Sequence, residues 1–353
     1  MSAGLLESDA MFYAKEGGVP WHGVGVSVEE APTSDAAMEV AKLDWTVMLR
    51  PAYYSVQGKG SYKRAADFQI MVRSDTGYAL GTCGLSYSPI QNKEMFRFLD
   101  ALVANGDLRY ETAGSLWNGR RVWMLARIPT ELEIGGDRMF PYLLAASAHD
   151  GSGACKVLPT LVRVVCANTL HAAVFSRDDE VRQMTVNIRH TGRVLDKLGQ
   201  ARQILGLGME SFKRLKTAGD LLAATDGLPH VEGLLSALFP AKKGDEEKKL
   251  SKDIEESRDK FRLIVEAEAR RGSGKPTGWD LVNAVTGYAD HVRAPENVRG
   301  GRFNTKEEAV VDSIFFKGAS EFRQRGLDLV LGMTGVYEKL DELKVPVRLK
   351  RAS

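Results

Sequence analysis

Four side chains in one stretch of the chain are of the types that acid–base or nucleophilic chemistry uses: His149, Asp150, Cys166 and His190. They fall within residues 142–193, which hold three of the six histidines and two of the three cysteines. A thiol activated by an imidazole, or a metal held by His149, Asp150 and His190, is the chemistry this set would perform on a nucleotide or nucleic acid. Both require the groups within direct reach of one another, which sequence proximity does not provide. Cys166 and His171 are five residues apart, and on a helix they would be rotated by about 500°, off any common face. On a strand, Arg163-Val-Val-Cys166 reads as apolar alternation ending in a small buried thiol. No cofactor is expected. Arg270–Gly278 is Gly-rich and basic but lacks the GxxxxGK[ST] spacing of a phosphate loop, and no GxGxxG follows a strand.

A second set is suited to binding rather than to reaction. Trp117, Arg120, Arg121 and Trp123 flank the Asn118-Gly119 dipeptide, and residues 182–216 carry eight Lys/Arg against two acids. Arg189, Arg193 and Lys197 repeat at a spacing of four, which lines one helical face opposite Leu195 and Leu198. Joined to Lys156 and Arg163, these residues would form a basic groove. Arg120, Arg121, Lys156, Arg163, Arg189 and Arg193 would contact phosphate, with Trp117 or Trp123 stacking on bases, the requirements of a single-stranded nucleic-acid site. The competing assignments are a Trp pair packed in a sheet with surface arginines, and a solvated helix face whose cations complement its own acidic neighbours.

The elements that would position these residues change period along the chain. Thr33-Ser34-Asp35 offers an N-cap for a short helix over Ala36–Leu43. Strand patterns follow at 45–49, 53–56, 68–72 and 78–83, with Gly58–Arg64 read as a flexible basic loop at a hairpin tip. Met95, Phe98, Leu99 and Leu102 share one helix face over 92–105. Asn118-Gly119 predicts a two-residue type I′ turn within a hairpin from Leu108 to Ile128. Strands are expected at 142–147, 161–165 and 185–188, with a short helix at 168–175. From Arg193 the period becomes helical, with helices expected near 209–225, 229–239, 246–271, 277–293, 305–316 and 319–334. The fold class is therefore α+β: an antiparallel sheet with covering helices over residues 1–192, then a mostly helical region over 193–353 with a charged segment at 241–260.

Composition bounds the function. The 353 residues are 44% apolar, enough for a sizeable core, and 48 Lys+Arg nearly cancel 46 Asp+Glu. A chain acting through global positive charge is excluded, so any basic surface is local. Three cysteines without a CxxC pair argue against a disulfide framework or zinc ribbon and suit a reducing interior. Neither a secretory leader nor an apolar run of about 18 residues is present, which points to a cytoplasmic protein without a membrane partner.

VPWHGVG at 19–25, VRSDTGYALGTCG at 72–84, YETAGSLWNGRRVWMLAR at 110–127, SAHDGSGA at 147–154, RVVCANTL at 163–170, IRHTG at 188–192 and TGWDLVNAVTGYADH at 277–291 are similar to the phage/plasmid-like proteins grouped as domain of unknown function 932. The resemblance covers most of the chain and implies a mobile-element protein acting in the cytoplasm of a bacterial host. It carries no activity to transfer. A looser resemblance lies in the order of helix, strands and helix up to residue 105, which is similar to the small core of Rad52-like single-strand annealing proteins. It implies a non-enzymatic, single-stranded DNA-binding protein of replication or recombination, assembling as a ring or filament. The alternatives are the enzyme described above and a host-interaction or anti-defence protein.

Overall fold

A computed structural model describes residues 11–14, 26–28, 33–55, 61–163, 169–171, 186–188, 198–241, 251–293 and 320–345. The chain divides into two compact units that interleave in sequence: residues 1–129, 142–159 and 183–206 form the first, and residues 130–141, 160–182 and 207–353 the second. The class is α+β, with helices concentrated in the C-terminal half. Among the described residues no helix is long and apolar enough to cross a membrane.

In the first unit, the short strands β1 (Met11–Ala14) and β2 (Val26–Val28) pair in parallel. Helix α1 (Ser34–Val40) begins where expected, with the Thr33 hydroxyl accepting from the Ala36 N–H at 3.2 Å. Three antiparallel strands follow, β3 (Val47–Ser55), β4 (Tyr62–Arg73) and β5 (Ala79–Gly84), in the order β3-β4-β5. Two of the expected short strands are thus one, and Tyr62, Lys63 and Arg64, read as loop, extend β4. They pair with Ser55, Tyr54 and Tyr53 respectively. Pro51 sits opposite Gln69 in β3, which has β4 as its one partner among the described residues.

Helix α2 (Asn92–Ala104) is tied to this sheet at its first turn. The Gln91 side chain accepts from the Val47 N–H at 2.8 Å and donates to the Val47 carbonyl at 3.1 Å. Met95, Phe96, Leu99 and Leu102 are buried beneath it. Next come β6 (Arg109–Leu116), β7 (Arg121–Arg127), β8 (Leu132–Ile134), β9 (Asp137–Ala148), β10 (Cys155–Arg163), β11 (Thr169–His171) and β12 (Val186–Ile188). In the first unit the strand order is β2-β1-β6-β7-β9-β10, with β12 also on β10.

Two local expectations change. Leu116 pairs with Arg121, so the β6–β7 connection is a four-residue loop and not a two-residue turn, with positive φ at Trp117 as well as at the expected Asn118 and Gly119. Its Gly119 lies against Trp45, where a Cβ would meet the ring at 2.5 Å, so tertiary contact and not turn propensity sets the loop. The short helix expected over 168–175 is instead strand where described. Thr169, Leu170 and His171 pair with Val162, Leu161 and Thr160, a ladder that outweighs local preference. The helix expected over 305–316 lies outside the described residues.

The second unit holds α3 (Leu198–Ala223) from Leu207 onward, and α4 (Val231–Leu238), α5 (Lys252–Arg271), α6 (Gly278–Gly287), α7 (Ser320–Met333) and α8 (Val336–Glu342). Phe239, Phe261, Tyr288 and Phe322 form one aromatic cluster with ring centroids 5.0–6.0 Å apart. Asp290, in a π-helical turn over Tyr288–Arg293, forms a buried ion pair with Arg323. Gly135 and Gly136 turn β8 into β9 at positive φ and bring Asp137 beside α6. The Asp137 carboxylate accepts from Trp279 Nε1 at 2.7 Å and from Asn283 Nδ2 at 3.2 Å.

Trp279 and Asn283 are both buried, so replacing Asp137 by alanine strands donors away from water. The Asp137→Ala variant is expected to lose about 1–3 kcal/mol of stability. A thermal melt checks this, and an unchanged midpoint would show that the acceptor is dispensable.

Candidate nucleic-acid interface

The residues expected to make a basic wall do not share one environment. Trp123 is 1% exposed in the middle of β7 and presents no stacking face. Arg121 is likewise buried: its side chain is 5% exposed and its guanidinium is held by Asp150 at 2.6 Å and by the Ser152 hydroxyl at 2.6 Å, while lying over the Trp117 ring at 5.3 Å. This corrects both assignments, for a guanidinium neutralised inside the protein is not offered to a phosphate. Trp117, Arg120 and Lys156 are half-buried, with Arg120 stacked over Tyr78 at 5.6 Å. Arg163 ends β10. Arg189 and Arg193 lie outside the described residues, as do Cys166 and His190.

The two described members of the reactive set have structural partners. His149 is fully buried, its ring edge-on to Trp45 with centroids 5.5 Å apart, and its Nε2 is 2.8 Å from Asn92 Oδ1. Asn92 Nδ2 donates to the Leu43 and Trp45 carbonyls at 3.0 and 3.4 Å, so its oxygen is turned to His149 and the proton sits on Nε2. Asp150 faces Arg121. Among the described residues no group of three His, Cys, Asp or Glu side chains could hold a metal ion.

Cations and aromatics do come together on β3 and β4. Alternation puts Val47, Leu49, Met71 and the buried, Asp75-paired Arg73 on the inward face of the small sheet. The turn at Asp150-Gly151 closes on that face: a Cβ at Gly81 would meet the Asp150 backbone at 2.7 Å, and one at Gly151 would meet the Thr82 carbonyl at 2.9 Å. The opposite face carries Arg50, Ile70 and Phe68, the last 56% exposed. Beyond Pro51 the two strands run on as a ribbon with Tyr53, Tyr54 and Tyr62 each more than half exposed and Lys63 and Arg64 exposed beside them. Outside the buried Arg73, the two strands carry three cations, Arg50, Lys63 and Arg64, against one acid, Asp67. None of the three forms an ion pair among the described residues; Arg50 instead donates to Met48 Sδ and the Leu49 carbonyl.

This surface was missed because Gly58-Lys59-Gly60 looks like a loop that ends the strands. The signal that would have revealed it is symmetry, since Tyr53-Tyr54 and Tyr62-Lys63-Arg64 flank those glycines at similar distances, as paired strand ends do.

The profile of the family described as "Domain of unknown function (DUF932)" matches residues 79–315, more than half of the chain. No curated protein and no solved structure matches. The matched span includes the β6–β7 loop and the Asp150 turn but begins after the ribbon.

Burial raises the pKa of Asp150, but its bonds to Arg121 and to the Ser152 N–H outweigh that and leave it below the usual carboxylate value. A depressed folded-state pKa contributes stability above the unfolded value of about 3.9, and that contribution is lost as pH falls through the lower folded value. Asp150→Asn is therefore expected to lower the melting temperature at neutral pH and to flatten its fall below about pH 4. Melts across that range check it, and parallel profiles for the two proteins would refute the coupling.

Proposed function

The chain belongs to the family grouped as domain of unknown function 932, and we propose that this protein binds single-stranded DNA, without catalysis, in the replication or recombination of a phage or plasmid. The observation that carries the proposal is the β3–β4 ribbon and its continuation onto the open face of the sheet. Exposed tyrosines and a phenylalanine offer stacking surfaces, and three cations without carboxylate partners among the described residues lie between them. Unpaired bases supply π-faces and phosphates supply charge, so the two kinds of side chain match the two parts of a nucleotide strand. A duplex keeps its bases stacked inside and would leave the aromatics unused.

The order of three antiparallel strands followed by α2 supports the analogy to annealing proteins as a reading of topology. Lys156 and Arg120, partly accessible, are secondary phosphate contacts in this reading, and Arg163, Arg189 and Arg193 extend it. Assembly into a ring or filament and a cytoplasmic site of action belong to the same proposal.

Fluorescence anisotropy of a labelled oligothymidylate at two salt concentrations tests it. Binding is expected to weaken with salt, with a slope of about −0.7 per phosphate neutralised on a single strand. Lys63→Ala should remove about one such unit of slope, and Tyr54→Ala should weaken binding roughly tenfold, the low end of one lost base stack. Absence of binding at low salt, or binding indifferent to salt, would end the proposal.

A further inference from the structure

The ribbon has two faces, and both carry the same chemistry. Directly opposed residues in an antiparallel pair project to the same side, and neighbours along a strand project to opposite sides. Tyr53 opposes Arg64, and Ser55 opposes Tyr62, so Tyr53, Arg64 and Tyr62 share one face. Tyr54 opposes Lys63 on the other. That second face is, along β3, the side that carries Arg50 and hence Ile70 and Phe68, the open face of the sheet; between Pro51 and Tyr53 the β4 partner steps from Gln69 to Arg64, so the extra residues lie in β4 and the alternation is carried along β3. The first is, along β3, the side of Val47 and Leu49, where the Asp150-Gly151 turn packs near the base of the sheet, while β3 from Tyr53 to Ser55 is exposed.

A protein surface that reads one strand needs one such face. Exposing three tyrosines over both sides of a two-stranded ribbon is costly for solubility and unneeded for its folding, since neither side buries them. The geometry of the first face is specific. Tyr53 and Tyr62 are diagonal neighbours, about 7–8 Å apart at their backbones, which is roughly twice the ~3.4 Å step between stacked bases. One base inserted between the rings would contact both, with the Arg64 guanidinium placed for its phosphate. The second face has a longer track, from Lys63 and Tyr54 to Arg50 and Phe68.

Resting on the single-strand reading above, we infer that the ribbon binds two strands at once, one on each face: a strand laid along Tyr54, Lys63, Arg50 and Phe68, and a second held at its tip by Tyr53, Arg64 and Tyr62.

Saturation stoichiometry tests this on the full chain, with a labelled eight-residue oligothymidylate, about the span of a single such site and unable to pair with itself. At protein concentrations well above the dissociation constant, the wild type is expected to take up two oligonucleotides per chain. The Y53A/Y62A and Y54A/F68A variants, altered only at exposed positions and checked for unchanged circular dichroism, are each expected to take up one. Counting per chain makes the result independent of assembly. A wild type that saturates at one oligonucleotide per chain, with both variants weakening that same event, overturns the two-strand inference and leaves single-strand binding intact. No binding by the wild type overturns both.

Discussion

A buried polar chain decides which face of the small sheet the solvent sees. Asn92, at the start of α2, gives both amide protons to the carbonyls of Leu43 and Trp45 and turns its oxygen to His149. His149 in turn presents its ring to Trp45, whose other contacts include the Arg73 guanidinium at 4.6 Å and Gly119. The Asn92 amide protons and the His149 Nε2 proton find acceptors within this small volume, which lowers the cost of burying both side chains. With the Asp150-Gly151 turn fixed above β5 by this chain, the inward side of the sheet is closed at its base. The outward side and the ribbon are what remains for a partner.

The same chain explains why chemistry-bearing residue types gave a misleading map. His149, Asp150, Arg121 and Trp123 are what a site requires, and they are also what a polar core requires when it must hold one turn in place. Sequence cannot distinguish these uses, because the difference is the direction in which a side chain points. Arg121 and Asp150 are 29 positions apart, and nothing local marks them as partners.

Where local physics suffices, the fold was legible. Thr33 capped α1, the apolar spacing over 92–105 gave α2, and α6 starts at the beginning of the helix expected over 277–293, where the Thr277 hydroxyl accepts from the Asp280 N–H at 3.2 Å and the Thr277 N–H donates to the Asp280 carboxylate at 2.8 Å. Where tertiary contact overrides preference, it was not. Asn118-Gly119 has the composition of a two-residue turn, yet Trp45 beneath Gly119 selects a wider loop. Leu170 and His171 look helical, yet β10 offers them a ladder. The ribbon lay between these cases: its residues have strand chemistry, but the glycines at 58 and 60 broke the pattern that would have joined them.

Pro51 bears on how such a surface survives in a crowded solution. An edge strand with exposed aromatics is a template on which other chains can add strands, and long uninterrupted edges are where aggregates nucleate. Proline has no amide hydrogen to donate, so at the middle of β3 the run of main-chain donors is broken. Sheet growth from that side is blunted while the tyrosines, which lie on the faces and not along the edge, keep their full reach. The protein can therefore display sticky rings without offering the backbone that would make them hazardous.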